Sequence, residues 1–347
     1  MKKRSWKANN MFALILVCFC TYACKGQGIY QPNSTKPTDP APSESPKQKF
    51  LPGKLWPDNN GEHINAHGGG VLYHDGIYYW YGEKRATSQS EGISVYSSAD
   101  LYQWKKEGLA LSPSTDPGSD ITWGCIMERP KVIYNKQTKK FVMWFHLELK
   151  GQGYNAARAA VAVSDKPQGP FIFEESFRPN GNMSRDMTLF VDDDGEAYHI
   201  YASDDNFELR IARLSEDYRR PTSKDSLLFR EHREGPALFK HNGKYYMFTS
   251  DCTGFDPNRA RLHVAENLFG PWSSLGDPMR GSGSDITFGA QSTFVLPVVG
   301  MEDTFIFMAD RWVGWNLVES KYVWLPIRLD EEIPYVEWVD SWSLPAK

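Results

Sequence analysis

Five polar residues stand at matching points of a pattern that recurs along this chain: His67, Glu128, Asp186, Glu234 and Gln291, each just ahead of an apolar, β-rich run. If those runs start at one place in space, three acids, an amide and an imidazole share a single mouth. Carboxylates set around one bond are what glycoside hydrolysis requires: a protonated acid for the leaving oxygen and a second group to activate water. An inverting centre holds the two groups roughly 6.5–9.5 Å apart, leaving room for that water. Crowded acids also raise one another's proton affinity, so that one of them can act as an acid near neutral pH. Each residue has a plainer reading as well. Glu234 before Gly235-Pro236 could be a solvated loop residue, and Asp186 could cap a turn. Glu128 could pair with Arg129 or Lys131, Gln291 could be a core amide, and His67 could be bonded to backbone.

The elements that position these residues are hairpins. Around Glu234 the order is a loop, the run Ala237 to Lys240, the pair Asn242-Gly243, and the run Tyr245 to Ser250. An Asn-Gly pair between alternating apolar runs is a strong hairpin signal. Proline is not expected inside a central strand, so the Gly235-Pro236 step places Glu234 at the loop end of its strand. The same layout starts near positions 71, 131, 188, 237 and 293, and each hairpin is followed by a second strand group, as at Gly92 to Ser98 and Ala159 to Ser164. A repeat of roughly 50 to 60 residues built from four strands, with no helical periodicity, indicates an all-β, five-bladed β-propeller. Its innermost strands line a funnel, and the five polar residues lie where those strands begin. Asp192-Asp193-Asp194-Gly195 falls between two strands and lacks the closing glutamate of an EF-hand loop, so it reads as a hairpin turn rather than a calcium site.

Composition narrows the remaining choices. Aromatic residues make up 14% of the 347 residues and accompany 28 Gly and 22 Pro, as many short strands and tight turns require. A net charge of −4 with dispersed Lys and Arg gives no footprint for nucleic acid. Residues 1–24 hold a basic start, an apolar run from Met11 to Phe19 that is short for a membrane span, and Thr21-Tyr22-Ala23-Cys24. That ending resembles a bacterial lipoprotein signal, which implies acylation of Cys24 and a place in the cell envelope; cleavage and secretion is the alternative. Residues 25–49 are rich in Pro, Ser, Thr and Lys and read as a flexible tether, leaving 50–347 for the propeller. Cys125 and Cys252 are expected as unpaired thiols, with one disulfide as the alternative. No metal-ligand spacing and no organic cofactor motif is present, a structural calcium being left open, and the chain is expected to be a monomer.

With those residues in place, the chain resembles glycoside hydrolase family 43, a family of five-bladed propellers, and within it the exo-β-1,3-galactanase-like subgroup. The likeness rests on Ile64-Asn65-Ala66-His67-Gly68-Gly69-Gly70 with Tyr78-Tyr79-Trp80-Tyr81-Gly82-Glu83, on Glu128-Arg129-Pro130-Lys131, on Ser184-Arg185-Asp186-Met187, on Arg233-Glu234-Gly235-Pro236 and on Gly289-Ala290-Gln291-Ser292. It implies that Glu234 is the general acid and Asp186 the carboxylate that tunes and orients it. Most of the wider family carries an aspartate base in the first blade, where this chain reads Ala66-His67-Gly68-Gly69. In the subgroup the matching glutamine, Gln291, is held to assist water as an imidic acid, with Glu128 binding substrate or sharing the base role. His67 and Arg129 are further candidates for substrate contact. Trp123, Trp312 and Trp315 are candidate platforms for the substrate that the resemblance implies, a plant-type polysaccharide or oligosaccharide of arabinogalactan type. Two other readings stay open: another sugar of the same family (arabinofuranoside, xyloside or galactofuranoside), and a propeller that binds glycans without cutting them.

Overall fold

The structure is a computed structural model that describes residues 48–86 and 90–345. The expected signal, Cys24 and nearly all of the tether lie outside the described residues. Blade one comprises β1 (His67–His74), β2 (Ile77–Arg85), β3 (Ser90–Ser98) and β4 (Lys105–Leu111). Blade two is β5 (Ile126–Asn135), β6 (Lys140–Glu148), β7 (Arg158–Ser164) and β8 (Ile172–Phe177). Blade three is β9 (Met187–Val191), β10 (Ala197–Ser203), β11 (Glu208–Leu214) and β12 (Pro221–Phe229). Blade four is β13 (Arg233–His241), β14 (Lys244–Asp251), β15 (Arg261–Ala265) and β16 (Ser273–Gly276). The short β17 (Met279–Arg280) then joins the outer edge of blade five, whose other strands are β18 (Gln291–Pro297), β19 (Phe305–Arg311), β20 (Lys321–Arg328) and β21 (Tyr335–Glu337). Neighbouring strands within each blade run antiparallel, except that β17 runs parallel to β21. The inner strands β1, β5, β9, β13 and β18 touch in a closed ring, which is the five-bladed propeller that the repeat predicts.

The sequence folds this way because each blade is covered on both faces. Successive side chains of a strand point to opposite faces, so the middle strands must be apolar throughout. In β2, Tyr79 and Tyr81 pack toward blade two, while Tyr78 and Trp80 pack toward blade five. In β6, Phe141, Met143 and Phe145 face blade one, and Val142 and Trp144 face blade three. Five apolar clusters fill the five gaps between blades in this manner. Burial of this kind stabilises by about 25 cal/mol per Å² of apolar surface, and here it acts between repeats.

Two features prepare the funnel mouth. Four inner strands carry a register shift at the same level: between His67 and Gly70, Glu128 and Lys131, Glu234 and Ala237, and Ser292 and Phe294. A bulge of this sort bends the strand and re-aims a side chain. Glu234 lies at the loop end of its strand as expected, but the expectation that Gly235-Pro236 falls outside that strand is corrected. β13 runs through Gly235-Pro236, because an inner strand has a free edge on the channel where the missing proline N–H costs no ladder bond. The second feature is close approach in blade one. A Cβ on Gly82 would lie 2.0 Å from the Ala66 carbonyl carbon, and one on Gly69 would lie 1.9 Å from the Tyr81 oxygen. Gly82→Ala is therefore expected to destabilise the fold by upwards of about 2 kcal/mol, measured by urea unfolding against Gly118→Ala, where the backbone is not left-handed and a Cβ meets only the flexible Asp116 side chain at 3.3 Å.

Candidate active site

At the mouth, Arg129 is the hub. It is buried, with a left-handed φ of 54° set by the bulge. Its Nη2 donates to Gln291 Oε1 at 2.5 Å and to Asp186 Oδ2 at 2.7 Å, and its Nη1 donates to the Ser292 carbonyl at 2.9 Å. Asp186 Oδ2 also accepts from the Gly235 N–H at 3.0 Å. Gln291 completes the link: its Nε2 donates to Glu234 Oε1 at 2.8 Å and to Ser250 Oγ at 2.9 Å, and its Oε1 takes a second donor, Trp312 Nε1, at 3.0 Å. Glu234 Oε2 accepts from Asn206 Nδ2 at 3.0 Å. Four of the five residues ahead of the inner strands thus converge: Glu128, Asp186, Glu234 and Gln291.

The two glutamates sit in opposite electrostatic settings. Burial, reinforced by the negative charge of Asp186, pushes Glu234 up to about 8, against the pull of Arg129 and the Gln291 bond. Burial alone would also raise Glu128, but hydrogen bonds and charge reverse the outcome. His146 Nδ1 lies 3.2 Å from Oε2, while Arg85 Nη2 donates to Oε1 at 2.8 Å and Tyr154 Oη at 2.7 Å, and together they hold this carboxyl well below the usual carboxylate range. His146 is itself pushed up to about 9: burial is outweighed by Glu128 on one nitrogen and Glu148, at 2.8 Å, on the other. At neutral pH Glu234 therefore carries a proton, and Glu128 is an anion fixed by two hydrogen-bond donors and the charge of the neighbouring His146 ring.

The remaining candidates take other places. His67 is fully buried, stacks on Tyr322 at 5.5 Å and is held neutral by burial, its value lowered to about 3. It packs beneath the pocket, and the expected substrate contact does not hold for it. Arg129 is likewise enclosed, so it braces the carboxylates rather than meeting a ligand. Trp312 is half-buried and lines the wall above Gln291; Trp123 is exposed on the loop that leads into β5. Cys125 and Cys252 are both free thiols. Asp192 and Asp193 close a hairpin turn and hold Lys240 of the next blade, each at 2.7 Å. Sequence reasoning missed Asn206, Arg85, His146 and Tyr154. Asn206 and Tyr154 come from loops that join second to third strands, which open on the same end of the ring as the inner-strand starts.

Glu128, His146 and Asp186 each bring one ligand atom within 4.8 Å of the others, a spacing that a cation could bridge. The guanidiniums of Arg85 and Arg129 already neutralise these carboxylates, and a divalent ion placed among them would meet two fixed positive charges. The cluster reads as an internal ion-pair network.

A buried protonated carboxyl beside a fixed carboxylate, at the mouth of a five-bladed propeller, defines a glycosidase. The family model for glycosyl hydrolases family 43 matches residues 67–284, and the chain belongs to that family. A solved family 43 β-1,3-galactosidase with galactodeoxynojirimycin is 48% identical, with 85% of this chain and 100% of that chain covered and a TM-score of 0.84. An exo-β-1,3-galactanase from Phanerochaete chrysosporium, solved with galactose, is 36% identical over 86% of this chain and 68% of that one, with a TM-score of 0.80. A β-xylosidase from Xylanibacter ruminicola is 29% identical over 45% of this chain, and the match spans 59% of that relative's length.

The proton on Glu234 fixes the pH behaviour. A raised value means that the acid form persists below about 8 and is lost above it, so turnover should fall as pH rises through about 8. Asp186→Asn removes a neighbouring negative charge that lifts Glu234, and the alkaline limb of the rate profile should move to lower pH.

Proposed function

We propose that the enzyme is an exo-acting galactan 1,3-β-galactosidase that removes terminal galactose with inversion. The observation that carries this reading is the pairing of Glu234 with Gln291. The inner strand of the first blade, β1, offers no carboxylate, Glu83 of β2 being buried against Arg85, and an amide from blade five faces the acid instead. The solved β-1,3-galactosidase and the exo-β-1,3-galactanases add support through their overall likeness to this chain.

In this reading Glu234 protonates the glycosidic oxygen as the bond to the anomeric carbon breaks. Gln291 assists the attacking water. The two donors on its Oε1, Arg129 and Trp312, stabilise charge drawn onto that oxygen, which favours the C=N form in which Nε2 can accept a proton. That form arises when Glu234, having given its proton to the leaving oxygen, takes one from Nε2 across their 2.8 Å contact; Nε2 then regains a proton from the attacking water, so acid and amide are both restored. Glu128, whose proton affinity is low, is a poor base, and its fixed negative charge suits it to hold sugar hydroxyls. Asp186 is engaged by Arg129 and the Gly235 amide and is not free to act as a nucleophile. No organic cofactor enters this scheme, and a chelator is expected to leave the rate unchanged.

The test is sugar release from β-1,3-galactan and from aryl galactosides, arabinosides and xylosides, with wild type and Glu234→Gln side by side. Galactose release from the galactan, reduced by about 10²–10⁴-fold in the variant, is the expected result. Early proton NMR spectra should show α-galactose before mutarotation, the signature of inversion at a β-linkage. Arabinose or xylose release would transfer the same machinery to another sugar. Binding to galactan with no release from any substrate would overturn the enzymatic reading.

A further inference from the structure

The pocket uses Trp312 but leaves two aromatic side chains beside it without a role. Phe255, on the loop after β14, is 44% exposed, and Trp315, on the loop after β19, is 85% exposed. Both belong to a built wall. Phe255 packs against Trp312 at 5.9 Å and 61°, and Trp312 donates to Gln291. The backbone at Gly314 comes so close that a Cβ there would stand 3.1 Å from Phe255 Cβ. Trp315 follows at the tip of a tight turn closed by Asn316 N–H to the Val313 carbonyl at 2.9 Å, and the turn is tied back by Val313 N–H to Ser320 Oγ at 3.0 Å. An indole left in water forfeits the burial that drives folding. Here a braced turn holds it out, one residue beyond the Gly314 backbone that packs against Phe255.

We infer that Phe255 and Trp315 bind the part of a galactan chain that lies beyond the scissile bond. This rests on the exo-galactosidase reading. In an exo-acting enzyme the pocket ends at the terminal sugar, so the leaving portion is what reaches the rim. A galactose ring is uncharged and has an apolar C–H face that lies flat on an aromatic ring. The wall offers flat apolar faces that continue from Trp312, the side chain hydrogen-bonded to Gln291. Sugars two and three of the chain dock there, while the terminal sugar sits on Glu128, Glu234 and Gln291.

The experiment compares kcat/KM for an aryl β-galactoside and for β-1,3-galactotriose, using the full chain as wild type, Trp315→Ala, Trp315→Phe and Phe255→Ala. Trp315→Ala should keep the aryl galactoside rate and lose roughly tenfold on the trisaccharide through KM, as expected for one lost aromatic contact. Phe255→Ala should show the same length-dependent loss, and Trp315→Phe should restore most of it. An equal loss on both substrates, or no loss on the trisaccharide, overturns the wall. If wild type cleaves a different glycoside, the galactosidase reading fails by itself. The same comparison with an oligosaccharide of that sugar then decides the wall: length-dependent loss supports it, and its absence rejects it.

Discussion

A single buried guanidinium, that of Arg129, is the constraint on which the mouth of this propeller depends. Its side chain reaches Asp186 ahead of blade three and Gln291 and Ser292 of blade five, while its own carbonyl and that of Gly68 in blade one accept the Lys131 ammonium group at 3.3 and 3.0 Å. Asp186 passes the link to blade four through the Gly235 amide. A buried charge is costly unless it is paired and fully hydrogen-bonded. Closing the ring pairs Arg129, and the same arrangement buries Glu234 and sets Asp186 near it, the two effects that push its carboxyl up to about 8. Structural and catalytic demands meet in the same atoms.

The contrast between Glu128 and Glu234 follows from what surrounds them. Both are glutamates at the bulge of an inner strand, in blades two and four, and both are deeply placed. Glu234 has amide donors and a carboxylate neighbour; Glu128 has a guanidinium, an imidazolium and a phenol. One side chain type thus stands protonated in one wall and ionised in another, according to its neighbours.

Much of this was legible in the sequence because the propeller writes its geometry repeatedly. Alternate residues of every middle strand serve two neighbouring gaps, which yields the long aromatic runs at Tyr78–Tyr81 and Phe141–Phe145 and betrays their spacing. The convergence of Glu128, Asp186, Glu234 and Gln291 follows from that spacing. What failed was direction within the bulge. His67 occupies the right level but points into the core, and Arg129 points under the pocket instead of into it, because a register shift at this level breaks simple alternation. Asn206 was hidden for another reason. It ends a run of three left-handed residues, Asp204 to Asn206, in a hairpin turn whose sequence has the ordinary look of a solvated loop. Nothing in one chain marks such a turn as facing Glu234.

The closure of the ring has a consequence of its own. Among the described residues no strand is shared between the first and last blades; the ends meet by Phe50 stacking on Trp342 at 4.3 Å with paired backbone bonds, and by Tyr322 Oη receiving the Ala66 N–H and donating to the Ile64 carbonyl. The same seam runs through the active site, since the Gly68 N–H binds Asp310 at 2.5 Å and His67 lies against Trp312 and Tyr322. Any opening along this line draws Gln291 and Ser292 of blade five away from Arg129 of blade two before the other blades need to part. Turnover in this enzyme is thus a gauge of whether the circle is shut.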